Sequence, residues 1–148
     1  MIVKEVMTAN PACCTSKTGL QEVAKMMVDN DCGEIPVIEN KETRKPIGVI
    51  TDRDIVCRTV AQGLNPLDLT VADFMSKPCV TVTPDMTVEE CARVLEENKI
   101  RRVPVVDSAG SCCGIVAQAD IALHAREKVA QVVKEVSEPT SASAATGT

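Results

Sequence analysis

Apolar residues recur at helical spacing in two stretches of the chain. Residues 19–31 set Leu20, Val23, Ala24, Met27 and Val28 along one face, and residues 87–98 do the same with Val88, Cys91, Ala92 and Leu95. A period near 3.6 residues predicts amphipathic helices. Thr18-x-x-Gln21 and Thr87-x-x-Glu90 stand at their starts and read as capping boxes. After each helix comes a β-branched run with a central proline, Ile35-Pro-Val-Ile38 and Val103-Pro-Val-Val106. Polar turns at 39–45 and 107–111 lead to second apolar runs at 47–51 and 113–117, the pattern of paired strands. A further helix opens at Asp52, running to about Ala61 with Gly63 as its stop signal, and another opens at Gln118. The latter is longer and carries Ile121, Ala125, Val129, Val132, Val133 and Val136 on one stripe. Short leading strands are expected at 12–15 and 80–83.

The order β-α-β-β-α therefore occurs twice, and the residues repeat with it. A shift of 68 lays Val3 on Val71, Met7 on Met75, Thr15 on Thr83, Glu22 on Glu90, Asn30 on Asn98 and Pro36 on Pro104. Beyond the polar turn the shift becomes 66, and Gly48 meets Gly114, Asp54 meets Asp120 and Ile55 meets Ile121. The chain reads as an α/β (α+β) protein made of two copies of one unit, residues 1–64 and 65–126, with a helical extension at 127–136 and a flexible tail at 137–148. A unit of about 60 residues is marginal alone, so the two copies are expected to share a core.

Composition narrows the function. The chain has 148 residues and 16 basic against 21 acidic side chains, a net charge of −5. Nucleic-acid backbones are held by clustered Lys and Arg, which this balance disfavours. Without Trp or Tyr, and with Phe74 as the one aromatic residue, base stacking is excluded as a binding mode. No run is long and apolar enough to span a membrane, and no basic start with an apolar run marks a secretory signal. The expected setting is cytoplasmic, with neither nucleic acid nor membrane as partner. Eight cysteines lie at 13, 14, 32, 57, 79, 91, 112 and 113, none in a C-x-x-C. Cys32, Cys57 and Cys91 read as small buried hydrophobes. A thiol or metal sensor built on Cys13-Cys14, Cys112-Cys113 and the single His124 is the alternative, although neighbours on a strand point to opposite faces.

The chemistry concentrates at the strand-to-helix turns. At Gly48-Val-Ile-Thr-Asp-Arg-Asp54 a strand gives way to a helix, and the free N–H groups and dipole of a helix start attract anions. Thr51 can donate a hydroxyl, and Asp54, an acceptor, suits the two hydroxyls of a ribose. The same Thr51-x-x-Asp54 spacing also fits a capping box that serves only the helix. In Gly114-Ile-Val-Ala-Gln-Ala-Asp120 the hydroxyl is replaced by Ala117 while Asp120 remains. Arg101 and Arg102 precede the second proline strand, where Arg can grip phosphate bidentately; their counterparts in the first copy are Gly33 and Glu34. No motif of a nucleophile with its base and orienting group is present, so the chain is not expected to be an enzyme.

These residues resemble a known family. Val-x-x-x-Met-Thr at 3–8, Val-x-x-Phe-Met-Ser at 71–76, the proline-centred strands and the two Gly-to-Asp turns are similar to the CBS motif, and the doubled pattern over residues 1–126 resembles a Bateman module. The run Thr51-Asp-Arg-Asp-Ile-Val and Ala61-Gln-Gly-Leu-Asn-Pro66 is similar to stand-alone bacterial CBS-pair proteins of stress and hypoxia responses. The resemblance implies pseudo-two-fold packing, two clefts between the copies, an adenosyl ligand such as AMP or ATP, no required cofactor, and assembly into a disc-shaped homodimer read by a regulated protein. It places Asp54 and Asp120 on ribose, Thr51 on ribose or phosphate, Arg101 and Arg102 on phosphate, and Thr15 and Thr83 at cleft edges. Because Ala117 lacks a hydroxyl, the Asp54 cleft is expected to be the better one. An interaction module with vestigial clefts is the competing expectation.

Overall fold

The computed structural model describes residues 1–137; the expectation for 138–148 lies outside the described residues. The first copy contains α1 (Val3–Val6), β1 (Thr8–Ala9), α2 (Leu20–Asp29), β2 (Glu34–Ile38), β3 (Pro46–Thr51) and α3 (Asp52–Arg58). The second contains α4 (Val88–Asn98), β4 (Arg102–Val106), β5 (Cys112–Ala117) and α5 (Gln118–Ser137). Single 3-10 turns at Val60–Gln62, Pro66–Asp68 and Val71–Asp73 connect them, and Gly63 ends the first in the left-handed region at φ 76°.

The duplication extends to backbone detail. β2 and β3 form an antiparallel hairpin with Glu34 opposite Thr51, and β4 and β5 form another with Arg102 opposite Ala117. Each hairpin shifts register at the equivalent step, Val37/Ile38 and Val105/Val106. The expected leading strands contract to single parallel bridges, Cys14 with Val37 and Val82 with Val105. Cys14 N–H donates to Pro36 O (3.0 Å), and Ile38 N–H donates to Cys14 O (2.8 Å). The next rung would need an N–H from Pro36, which proline lacks, and Pro104 stops Val82 in the same way. The cap at Thr18 also differs. α2 starts after Gly19 with no side-chain cap, because Thr18 Oγ1 accepts from Thr15 N–H (3.0 Å) and Leu69 O takes the Leu20 N–H (2.9 Å). At α4 Thr87 does cap, accepting from Glu90 N–H at 3.1 Å.

In place of one shared core there are two, and each is completed by the other copy. Leu20, Val23, Ile35, Val37 and Ile50 enclose Val71, with Leu69, Phe74 and Met75 packed against them. Val82, Cys91, Leu95, Val103, Val105 and Val116 enclose Val3, with Val6 and Met7 alongside. Main-chain bonds fix the exchange: Val3 N–H to Met86 O (2.8 Å) on one side, Val71 N–H to Thr18 O (2.9 Å) on the other. β1 adds to the edge of β5, with Thr8 opposite Ile115, and Ser76 bridges Val49 in β3. Val3 and Val71 are fully buried, each contributing roughly 1.5–3 kcal/mol of burial free energy. This crossing of the lead-in segments brings residues from both copies to one central cleft.

Candidate functional site

Between the copies lies a cavity of 310 Å³. The first copy lines it with Thr8, Pro11 and Ala12, with Asp31 just past α2, and with Glu34 at the start of β2. The second contributes Arg102 from β4, Ala117 at the end of β5 and Asp120 from the first turn of α5. Asp120 Oδ2 accepts from Ala117 N–H at 2.8 Å. Among the described contacts this engages only one carboxylate oxygen and leaves Oδ1 for the cavity.

Glu34 and Arg102 are repeat mates, and the pseudo-two-fold packing brings them to the same cavity wall. Glu34 is only 7% exposed, and its Oε2 has no hydrogen-bond partner. Burial pushes its carboxyl up to about 7; Arg102 partly opposes this, and the charge of Asp54 adds to it. Three acidic side chains, Asp31, Glu34 and Asp120, thus face the cavity against the single guanidinium of Arg102.

The equivalent carboxylate in the first copy is placed differently. Thr51 Oγ1 accepts from Asp54 N–H (3.0 Å) while Asp54 Oδ2 accepts from Thr51 N–H (3.0 Å), a complete capping box. The Ser76 hydroxyl lies 3.2 and 3.3 Å from the two Asp54 oxygens, and Arg58 Nε is 3.6 Å from Oδ1. Asp54 is 9% exposed, with both oxygens engaged. The expectation favoured the Asp54 cleft, whereas the cavity with a free carboxylate oxygen lies at Asp120.

The remaining sequence candidates separate. Arg102 reaches the cavity, whereas Arg101 is exposed and lines an apolar groove between α4 and α5. Thr15 is half-buried and held in its turn by Thr18. Thr83 is exposed and closes a turn through its carbonyl, which accepts from Met86 N–H at 3.3 Å. Neither threonine lines the cavity. Sequence reasoning missed Asp31 and Glu34 as cavity residues. The signal for Glu34 was present, since the alignment of copies sets it on Arg102. Among the described residues no three His, Cys, Asp or Glu side chains group as metal ligands, and no helix is long and apolar enough to cross a membrane.

Comparison with known proteins shows the family and the fold. The CBS domain family matches residues 3–58 and again 71–127. The chain is 37% identical over 118 residues to an uncharacterized protein of Methanopyrus kandleri, covering 80% of this chain and 57% of that protein. It is 33% identical over 137 residues to Hypoxic response protein 1 of Mycobacterium tuberculosis, covering 92% and 94%. Among solved structures, it resembles the CBS domain pair of protein MJ0100 in complex with 5′-methylthioadenosine and S-adenosyl-L-methionine, with a TM-score of 0.77 and 26% identity over 86% of this chain and 98% of that one. It also resembles Hypoxic Response Protein I with two coordinated zinc ions, with a TM-score of 0.74 and 32% identity over 84% and 98%.

Proposed function

The chain belongs to the CBS domain family as a tandem pair, and from that premise we propose that it is a non-enzymatic cytoplasmic regulatory module that binds an adenosyl ligand at the Asp120 cleft. The observation that carries this reading is the cavity between the copies, lined by Asp120, which has one carboxylate oxygen unused, and by Glu34, whose Oε2 is buried in the wall without a partner. Asp120 suits the paired hydroxyls of a ribose, which donate to a carboxylate. Its volume sits at the lower end of small-molecule sites, roughly 300–1,000 Å³. The charge of its lining selects among adenosyl compounds. Three carboxyl groups against one guanidinium repel a triphosphate and favour a neutral or cationic ligand, so S-adenosylmethionine and 5′-methylthioadenosine are preferred over AMP, and AMP over ATP. Arg102 is the one cationic side chain among the lining residues and can donate to a single phosphate.

Thermal unfolding with these four compounds and NAD tests the reading. A ligand at 100 times its dissociation constant adds about 2.7 kcal/mol, equivalent to roughly 5–10 °C for a chain of this size. The expected order of shifts is the order above; no shift at millimolar concentration of any compound refutes ligand binding. Asp120→Ala removes the shift, while Asp54→Ala lowers the melting temperature of the free protein and leaves the shift in place. The closure of Asp54 by its own helix, Ser76 and Arg58 favours a second reading for that half, a vestigial cleft within an interaction module. A regulated protein then reads the ligand-dependent packing. We place the homodimer interface on the exposed apolar face of α5.

A further inference from the structure

The cysteines adjacent in sequence do not pair with each other, but one from each pair meets across the copies. Residues 10–14 run beside the start of β5: Ala9 is the register partner of Gly114, and Asn10 N–H donates to Cys113 O at 3.1 Å. Here the thiols of Cys13 and Cys112 lie close enough to perturb each other directly, while Cys13 Sγ donates to Pro11 O (3.4 Å) and Cys112 Sγ donates to Gly114 O (3.6 Å). Arg44, on the turn between β2 and β3, ties the two segments together. Its Nη2 donates to Cys13 Sγ (3.4 Å) and to Pro11 O (3.5 Å), its Nε donates to Cys112 O (3.4 Å), and its own carbonyl accepts from Cys112 N–H (2.8 Å). Cys13 is partly exposed, and Cys112 is 3% exposed.

We propose that Cys13 and Cys112 are a peroxide-sensitive thiol pair, with Cys13 the attacking sulfur and Cys112 the resolving one, closing to a disulfide between the two copies. The reactive species of a cysteine is its thiolate. The neighbouring Cys112 thiol and the charge of Arg44, against the opposing effect of burial, hold the Cys13 thiol at about 7. Burial pushes Cys14 up to about 12 and Cys79 up to about 11. Cys112 is raised by the neighbouring Cys13 sulfur and by burial, so it stays protonated, its thiol donating to Gly114 O at 3.6 Å. The Cys13 thiolate attacks hydrogen peroxide: an S–O bond forms, the O–O bond breaks, and the hydroxide released takes a proton to become water. Cys112 then loses its proton and attacks the sulfenic sulfur; the S–S bond forms, the S–O bond breaks, and a second water leaves. Two thiols are oxidised by two electrons in total, and one peroxide is reduced to two waters. Reversible pairs of this kind are the usual disulfides of a reducing compartment. The disulfide tethers the segment carrying Pro11 and Ala12 to the strand carrying Ile115 and Ala117, all four of which line the cavity. Oxidation therefore fixes one wall of the cleft to the other, whatever ligand the cleft takes.

Reduced protein exposed briefly to hydrogen peroxide, quenched with N-ethylmaleimide and mapped as non-reduced peptides provides the test. The expected product is an intramolecular cross-link between the Cys13 and Cys112 peptides, lighter by two hydrogens than their sum. It persists in Cys14→Ser and Cys113→Ser and is lost in Cys13→Ser and Cys112→Ser; in Cys112→Ser, Cys13 is trapped by dimedone as the sulfenic acid. Arg44→Met slows cross-linking several-fold. The wild-type map decides by itself if Cys112→Ser fails to fold. A cross-link that survives Cys13→Ser, one that joins two chains, or oxidation of Cys13 to sulfinic acid with Cys112 still free overturns the proposal.

Discussion

Glu34 is the residue whose environment departs most from what its chemistry prefers. Below its ordinary 4.5 it is protonated in both the folded and the unfolded chain, and its burial costs little. Between 4.5 and about 7 the folded chain keeps a proton that the unfolded chain has released, so stability falls as pH rises. Above about 7 the whole cost is in force, roughly 3 kcal/mol at 1.36 kcal/mol per pH unit. Glu34→Gln keeps the shape and removes the charge. Denaturant midpoints measured from pH 5 to pH 8 are therefore expected to show a flatter profile for Glu34→Gln, with the variant more stable than the parent at pH 8. Identical slopes in the two proteins refute the assignment. The same titration bears on binding: a cationic ligand favours ionised Glu34, so its affinity rises as pH passes 7. Individual residues were only partly legible in the sequence. Thr51 and Asp54 were visible as a pair with two readings, and the capping reading is the one their hydrogen bonds satisfy. Glu34 was visible only as the counterpart of Arg102, since its unpaired oxygen depends on what the second copy places opposite it.

The helices and hairpins were legible because their signals are local. Period, β-branching and polar turns located α2, α4 and both hairpins to within a residue or two. The failures lie where a distant segment supplies what a local signal usually supplies. Leu69 O, 49 residues downstream, satisfies the Leu20 amide, so Thr18 is not needed as a cap. Gly48 and Gly114 show the same dependence on partners. A Cβ on Gly48 would lie 2.6 Å from the carbonyl oxygen of Ser76, and one on Gly114 would lie 3.2 Å from the carbonyl oxygen of Thr8. In both cases the obstruction includes the backbone of the other copy's lead-in, and glycine lets that backbone approach. Gly48→Ala must push Ser76 off β3 and break the paired bonds Val49 N–H to Ser76 O (3.0 Å) and Ser76 N–H to Val49 O (2.8 Å). The expected loss is about 1–3 kcal/mol, read as a lower urea midpoint. Because Ser76 also holds Asp54, amide exchange at the start of α3 should quicken in the same variant. An unchanged midpoint refutes the close approach.

The whole molecule depends on an exchange that repeat alignment does not show. Val3 aligns with Val71 in sequence, yet each completes the core of the opposite copy, a long-range choice with no local mark. The second property at this level is surface. Val129, Val132 and Val133 lie on one face of α5 and are 62%, 51% and 58% exposed. Three apolar residues at helical spacing beyond the body of the second copy bury little against their own chain, and contiguous apolar surface of this kind ordinarily meets a partner. A second copy of the same chain is the economical partner, because a two-fold axis lets one helical stripe pack on itself. Replacing Val129 and Val132 together by Lys puts two charges of like sign at such an interface from each chain. Sedimentation velocity at micromolar concentration is expected to give a dimer for the parent and a monomer for the double variant, with helical content preserved because Lys is a good helix former. A parent that sediments as a monomer, or a variant that stays dimeric, removes α5 from the interface and leaves the apolar groove between α4 and α5, where Arg101 lies, as the surface to mutate next.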